Sequence, residues 1–243
     1  MPRSLAEQTD DELGGPRSVL TRQKRDHVEL DRLIASAATT TGSARSAVLN
    51  DLCRLVFPHA FAEEAVLWPA LRRRLADGEQ LTLEVEKEHQ AINELFTSLE
   101  KLDVDSPEHH RLFDEIVRLL REDVRDEEDV LLPRLQQACT REDLIRLRAY
   151  WQAVRSTAPT RPHPVVARRP PGNALSALPL TVLDRSRDLL DAAARTEGRW
   201  SAPARRTSGL LAAVAGAVEH LPPLTRGERK ATRTSGDWRT SGD

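Results

Sequence analysis

Two segments of the chain that lie 64 positions apart have closely related sequences. HAFAEEAVLWPAL at 59–71 aligns with DVRDEEDVLLPRL at 123–135, with identical residues at six positions. A second pair, RDHVELDRLI at 25–34 and KEHQAINELF at 87–96, is related at an offset of 62. A repeated pair of helical segments predicts two helical hairpins of the same design, packed together as an up-down four-helix bundle.

Helical periodicity extends over the first 157 residues, where Leu, Ala, Arg and Glu predominate. The pattern predicts helices over roughly 17–37, 44–75 and 80–101, a fourth from the Ser106-Pro107 cap, and a fifth over roughly 140–154. The expected fold class is therefore all-α.

Three prolines, at positions 58, 69 and 133, interrupt these helices. Each removes a backbone donor and is expected to kink or end its helix. We therefore expect the second helix to bend just before His59.

The composition changes after residue 157. Six prolines within 159–179 predict an extended linker, and two short helices are expected at 181–196 and 208–219. The formal net charge changes from −8 before this boundary to +6 after it. We divide the chain into a flexible N-terminus (1–16), a helical bundle (17–157) and a basic, Pro-rich, partly helical C-terminal extension (158–243), with a disordered end at RTSGDWRTSGD.

Six ionisable residues stand where the helical periodicity requires an apolar side chain: His27, His59, Glu63, His89, Asp123 and Glu127. Ionisable groups in a core are expensive unless they pair with one another or bind a metal. Residues four apart share a helix face, so His59 projects with Glu63, and Asp123 with Glu127. Imidazole and carboxylate without thiolate suit iron, manganese or zinc. Three carboxylates balance two cations better than one.

The pattern H…HxxxE…H…HxxxE on four helices resembles that of hemerythrin-like (HHE cation-binding) domains, over about 17–157. The Pro-rich segment resembles the extension of some bacterial members. This resemblance implies a non-haem di-iron centre, with two iron ions bridged by an oxo or hydroxo group. It further implies that Glu63 and Glu127 bridge the irons and that the terminal ligands are His27, His59, His89 and the residue at 123.

Residue 123 departs from the pattern, because it is Asp where the family, and this chain's own first repeat, has His. Aspartate is a competent hard-oxygen ligand, although it is shorter and anionic. The alternative is a vacant or water-filled position, and hence a weaker or mononuclear site.

Four acidic residues lie next to the six: Asp26, Glu64, Glu88 and Glu128. We expect them to lie on solvated helix faces. The alternative is that they orient a histidine. His110, His163 and His220 are expected to be structural or exposed, and the two cysteines to be small buried hydrophobes.

Several classes of protein are excluded by what the sequence lacks. It has no run of the roughly 18 apolar residues that a membrane helix needs and no apolar signal segment at its start, so the cytoplasm is the expected location. It also lacks GxGxxG, P-loop and GxSxG motifs.

The leading hypothesis is a di-iron protein that binds or reduces O2, peroxide or a related small oxidant such as NO, in oxygen binding or oxidative stress. Whether it is an enzyme stays open, with catalase-like peroxide decomposition as one activity. An anionic ligand at residue 123 favours ferric iron and so peroxide chemistry. The alternatives are iron storage or delivery, and an interaction module with a structural metal and a partner-binding basic extension. Nucleic acid is not expected as the partner.

Overall fold

The computed structural model describes residues 3–196 and 199–233, and within these ranges it contains helices and no strand. The α-helices are α1 (Val19–Thr39), α2 (Gly42–Ala62), α3 (Trp68–Arg74), α4 (Gly78–Leu99), α5 (Pro107–Asp126), α6 (Leu132–Gln137), α7 (Arg141–Ser156), α8 (Gly172–Arg195) and α9 (Ser201–Glu219). The all-α prediction is confirmed, and so is the bundle of repeated hairpins: α1 packs with α2, and α4 with α5.

Two apolar clusters form the core of the bundle. One surrounds Trp68 and Trp151, and the other surrounds Phe57, Phe96 and Phe113. Along α1, α4 and the two helices that carry the repeat (α2 and α5, each with the residues that follow it), residues of one cluster come before the predicted site residues and residues of the other cluster come after them. The candidate site therefore lies between two dry layers that exclude water from it.

Helix starts follow local capping chemistry. Ser106 Oγ accepts from the backbone N–H of His109, and Pro107 occupies the first turn, as the sequence predicts. Thr140 and Asp143 form a reciprocal capping box that begins α7.

The helix of each repeat is interrupted by a π-helical turn, at Glu63–Leu67 and at Glu127–Leu131. In these turns the N–H of Trp68 bonds the carbonyl of Glu63, and the N–H of Leu132 bonds that of Glu127. A proline lies two positions after the end of each turn, at 69 and 133, and lacks the N–H that an α-helical bond would need.

The π-helical turn begins after His59, whereas Pro58 does not end its helix. A bend just before His59 stays a prediction. Pro58 lies inside α2, which continues as α-helix to Ala62.

The N-terminus departs from the expectation of a flexible segment. Leu5 and Leu13 are fully buried and belong to the same apolar cluster as Trp151. Lys24 donates to the backbone carbonyls of Ala6 and Gln8, which ties the segment to α1. Residues 3–16 are thus packed against the end of the bundle.

In its described residues, the extension consists of a segment without helix followed by two helices. Residues 158–171 run along the bundle with Ala158, Arg161 and Ala167 buried. The following helices begin earlier than predicted, at Gly172 and Ser201, and pair as a hairpin. The RTSGDWRTSGD end lies outside the described residues except for Arg233.

Among the helices of the described ranges, none combines the length and the apolar character needed to cross a membrane.

Candidate metal centre

The structure brings all six predicted residues together in the middle of the bundle. Each is buried, from Glu63 with no exposed surface to His59 with 9%. They come from α1, α2, α4 and α5 and from the starts of the two π-helical turns.

Two sets of side chains face each other across the centre. In the first set, His27 Nε2 lies 3.2 Å from Glu127 Oε2, and His59 Nε2 lies 2.9 Å from Glu63 Oε1. In the second set, His89 Nε2 lies 3.5 Å from Asp123 Oδ1, 3.7 Å from Glu127 Oε1 and 3.9 Å from Glu63 Oε2. Glu63 and Glu127 therefore each direct one oxygen to each set.

In the part of the chain that the structure describes, two groups of side chains are compact enough to hold a cation. The ligand atoms of His27, His59 and Glu127 lie within 4.8 Å of one another, and so do those of Glu63, His89 and Glu127. Asp123 falls outside both groups and joins the second through His89.

The buried atoms of this centre lack the hydrogen bonds that a closed core requires. Although some of these atoms lie within ion-pair distance of one another, no hydrogen bond of good geometry reaches Nε2 of His27 and His59, both carboxylate oxygens of Glu63, Oδ1 of Asp123 and Oε1 of Glu127. An unpaired buried polar group costs about 1–3 kcal/mol, and a charged one costs more. Imidazole nitrogens and carboxylate oxygens aimed at one point fit a divalent or trivalent cation.

Several carboxyl groups are buried close together in this centre. Burial raises the pKa of Glu63 and that of Asp123, and the Glu127 carboxylate adds to both shifts. Burial alone would lower the pKa of His27, but the adjacent carboxylates of Glu127 and Glu128 outweigh it and raise the pKa to about 10. Protons on the imidazoles thus compensate carboxylates that a bound cation would neutralise.

Each of the three histidines is oriented by a carboxylate behind it. The Nδ1 atoms of His27, His59 and His89 lie 2.8 Å from Glu128 Oε1, 3.1 Å from Asp26 Oδ2 and 2.9 Å from Glu64 Oε1. These contacts fix the rings so that Nε2 faces the centre. The prediction that Asp26, Glu64 and Glu128 lie on solvated faces is therefore wrong. The alternative, that these residues orient a histidine, is correct.

Glu88 completes the internal symmetry. It occupies the position of Asp26 in the second repeat, and it lies near the carboxyl groups of Asp123 and Asp126 where Asp26 has His59. Burial and the neighbouring Asp126 carboxylate raise the pKa of Glu88 to about 7, although His89 and Asp123 oppose the shift. A carboxylate–imidazole pair in the first repeat is thus a pair of carboxyl groups in the second.

A cavity of about 30 Å³ adjoins the centre. It is lined by the site residues and by apolar side chains that include Leu30, Leu55, Phe57, Ile92 and Leu120. A space of this size holds one or two small molecules.

A helical bundle whose inward-facing histidines and carboxylates converge at mid-length defines a metal-binding bundle. Residues 18–135 match the family model of the hemerythrin HHE cation binding domain, and this part of the chain belongs to that family. The predicted resemblance is therefore confirmed, and the domain is a cation-binding one. Comparisons with curated proteins and with solved structures found no match.

Proposed function

We propose that the protein holds two iron ions and uses them to bind or reduce a small oxidant such as O2, peroxide or NO. The observation that carries this proposal is the placement of Glu63 and Glu127, each of which faces both sets of side chains. A carboxylate shared in this way suits two cations close together.

The donor atoms divide evenly between the two ions. His27 and His59 serve one, His89 and Asp123 serve the other, and each glutamate gives one oxygen to each. The protein thus supplies four donors to each ion, which leaves positions free on a cation that takes about six. Iron in such a site supplies reversible electron transfer and positions at which an exogenous ligand binds.

The adjoining cavity supports a small oxidant as the ligand. Its volume of about 30 Å³ suits molecules the size of O2, NO or peroxide. The apolar side chains of Leu30, Leu55 and Phe57 keep bulk water away from the ions. The anionic Asp123 favours the ferric state, which inclines the protein toward peroxide chemistry.

An interaction role for the basic extension receives less support. Its Arg161, Arg168 and Arg169 are buried or nearly so and pair with acidic or amide groups of α4 and α8. Their charge is thus largely neutralised within the chain.

Metal analysis and optical spectroscopy of the purified protein test the proposal. We expect two irons per chain and a charge-transfer absorption band that changes when the reduced protein meets O2 or peroxide. Zinc-loaded protein is the control and should show neither. A single iron without the band would contradict the di-iron proposal, and well over two irons would favour storage.

A further inference from the structure

We propose that Arg168 of the C-terminal extension is a positioning residue for the His89 side of the metal centre. Arg168 acts by pairing with Glu64, the carboxylate that orients His89. The inference rests on the proposed metal-binding function and deepens it.

The contacts form a chain from the extension to the centre. Arg168 is 8% exposed, and its Nη1 lies 3.8 Å from Glu64 Oε1. The same oxygen lies 2.9 Å from His89 Nδ1. Arg168 is itself fixed, because its Nε and Nη2 donate to Gln90 Oε1 at 3.1 and 2.8 Å. Gln90 follows His89 directly on α4, so Arg168 binds this helix next to the histidine.

Neighbouring residues of the extension grip α4 in antiparallel order. We call residues 161–169 the clasp. From the C-terminal end of α4 toward its start, the bonded pairs are Arg161 with Glu100, the backbone N–H of His163 with Asn93, Arg168 with Gln90, and Arg169 with Glu86. Asn93 also donates to the carbonyl of His89 at 2.9 Å. The clasp thus holds the backbone as well as the ring of His89.

On the His59 side of the centre, a histidine, a carboxylate and an arginine also follow one another, but the arginines come from other parts of the chain. Asp26, which orients His59, lies 2.9 Å from Arg22 Nη2 and 3.4 Å from Arg155 Nη2. On both sides, the carboxylate that orients a histidine is paired with an arginine. On the His59 side the arginines belong to α1 and α7, whereas on the His89 side the arginine is supplied by the extension.

A carboxylate behind a ligating histidine fixes the ring, and losing such a partner typically lowers metal affinity by about 10–100-fold. Removing Arg168 should therefore weaken one of the two metal sites and leave the other unchanged. A purely structural role would instead weaken both sites with the fold.

The test is a titration of full-length metal-free protein with Co²⁺, followed by its visible absorption. For Arg168→Gln we expect one equivalent to bind about ten-fold more weakly, with a changed spectrum for that equivalent alone. Glu64→Gln should weaken the same equivalent, and the double variant should lose little more. Arg168→Lys keeps the charge without the forked contact to Gln90 and should fall between wild type and Arg168→Gln.

The matched control is Arg161→Gln, which removes another buried clasp arginine that does not contact Glu64. It should leave both affinities and the spectrum unchanged, with circular dichroism and melting used to compare the folds. Unchanged affinities in Arg168→Gln and Arg168→Lys, or an equal loss in Arg161→Gln, would overturn the inference. A single Co²⁺ in the wild type would instead contradict the proposed two-ion function, and an unchanged affinity of that ion in Arg168→Gln would still overturn the inference.

Discussion

Glu128 Oε1 lies 2.8 Å from His27 Nδ1, so the second helical hairpin fixes a histidine of the first. The reciprocal contact joins Glu64 of the first hairpin to His89 of the second at 2.9 Å. The two hairpins are therefore joined by contacts between groups that surround the metal centre. We expect substitutions of these groups to lower the metal content more than the stability of the fold.

The proposed bridging carboxylates give the first prediction. Glu63→Ala and Glu127→Ala should each lose more iron than His27→Ala, because each glutamate faces both ions. We expect one iron or fewer per chain by metal analysis in either glutamate variant. Glu122→Ala, which removes an exposed carboxylate of α5, is the control and should keep two. Two irons retained in both glutamate variants would show that these carboxylates do not bridge.

Asp123 gives the second prediction. A carboxylate beside iron stabilises the ferric state relative to a neutral imidazole, because opposite charges favour each other. Asp123→His should therefore raise the reduction potential and slow oxidation of the reduced protein in air, as measured by redox titration and absorption. Asp123→Ala should leave one metal weakly held. If Asp123→Ala keeps two irons and an unchanged spectrum, then Asp123 is not a ligand.

The cavity beside the centre gives the third prediction. Leu30→Phe should fill it and slow the reaction of the reduced protein with O2, whereas Leu30→Ala should enlarge it and speed the reaction. Overfilling a packed core costs about 1–3 kcal/mol of stability, so metal content and melting are measured alongside stopped-flow rates. Equal rates in the two variants at full metal content would mean that the oxidant does not enter through this cavity.

His163 gives the fourth prediction, on pH. Burial alone would lower its pKa, but Asp184 and Glu219 raise the pKa to about 9. Its nitrogens lie 3.1 Å from Asp184 Oδ2 and 3.5 Å from Glu219 Oε2. A raised pKa stabilises the fold fully below the unfolded value of 6.5, and this stabilisation disappears as the pH rises through about 9.

The contribution that is lost is on the order of 3 kcal/mol. Urea unfolding of metal-free wild type and His163→Gln at pH 6 and pH 10 measures it as the difference between the two proteins. The wild type should lose more stability over this range than the variant. An equal loss in both would mean that His163 is not charged in the folded protein.

Much of the fold and of the site follows from the repeat in the sequence. The repeat predicted the paired hairpins, and the apolar periodicity singled out His27, His59 and their four companions because each interrupts an apolar stripe. These are local signals, in which each residue is compared with neighbours three or four positions away.

The periodicity did not predict the carboxylates that orient the histidines. Consecutive side chains on a regular helix point about 100° apart, so Glu64 is predicted to leave the face that Glu63 occupies. The π-helical turn that begins at Glu63 departs from that geometry. The signal available was the identity of both glutamates in the two repeats, Glu63-Glu64 and Glu127-Glu128.

The docking contacts of residues 3–16 and of residues 158–171 could not be predicted either. Leu5 and Leu13 are isolated apolar residues without a helical period around them, and their burial depends on a surface formed by distant helices. The contacts of Arg161 and Arg169 with α4 join residues more than 60 positions apart. Nothing local in a Pro-rich, Arg-rich segment distinguishes a free linker from one that docks.

In the proposed centre, Glu63 and Glu127 bring two metal ions together within one bundle. X-ray absorption spectroscopy of the iron-loaded protein tests it most directly, because scattering from a second iron reports the distance between the ions. This arrangement predicts an iron–iron vector at about 3.5–4 Å, with two irons per chain and a mixed nitrogen and oxygen ligand set. Iron that is bound with no iron–iron scattering, and that is lost neither in Glu63→Ala nor in Glu127→Ala, would contradict it.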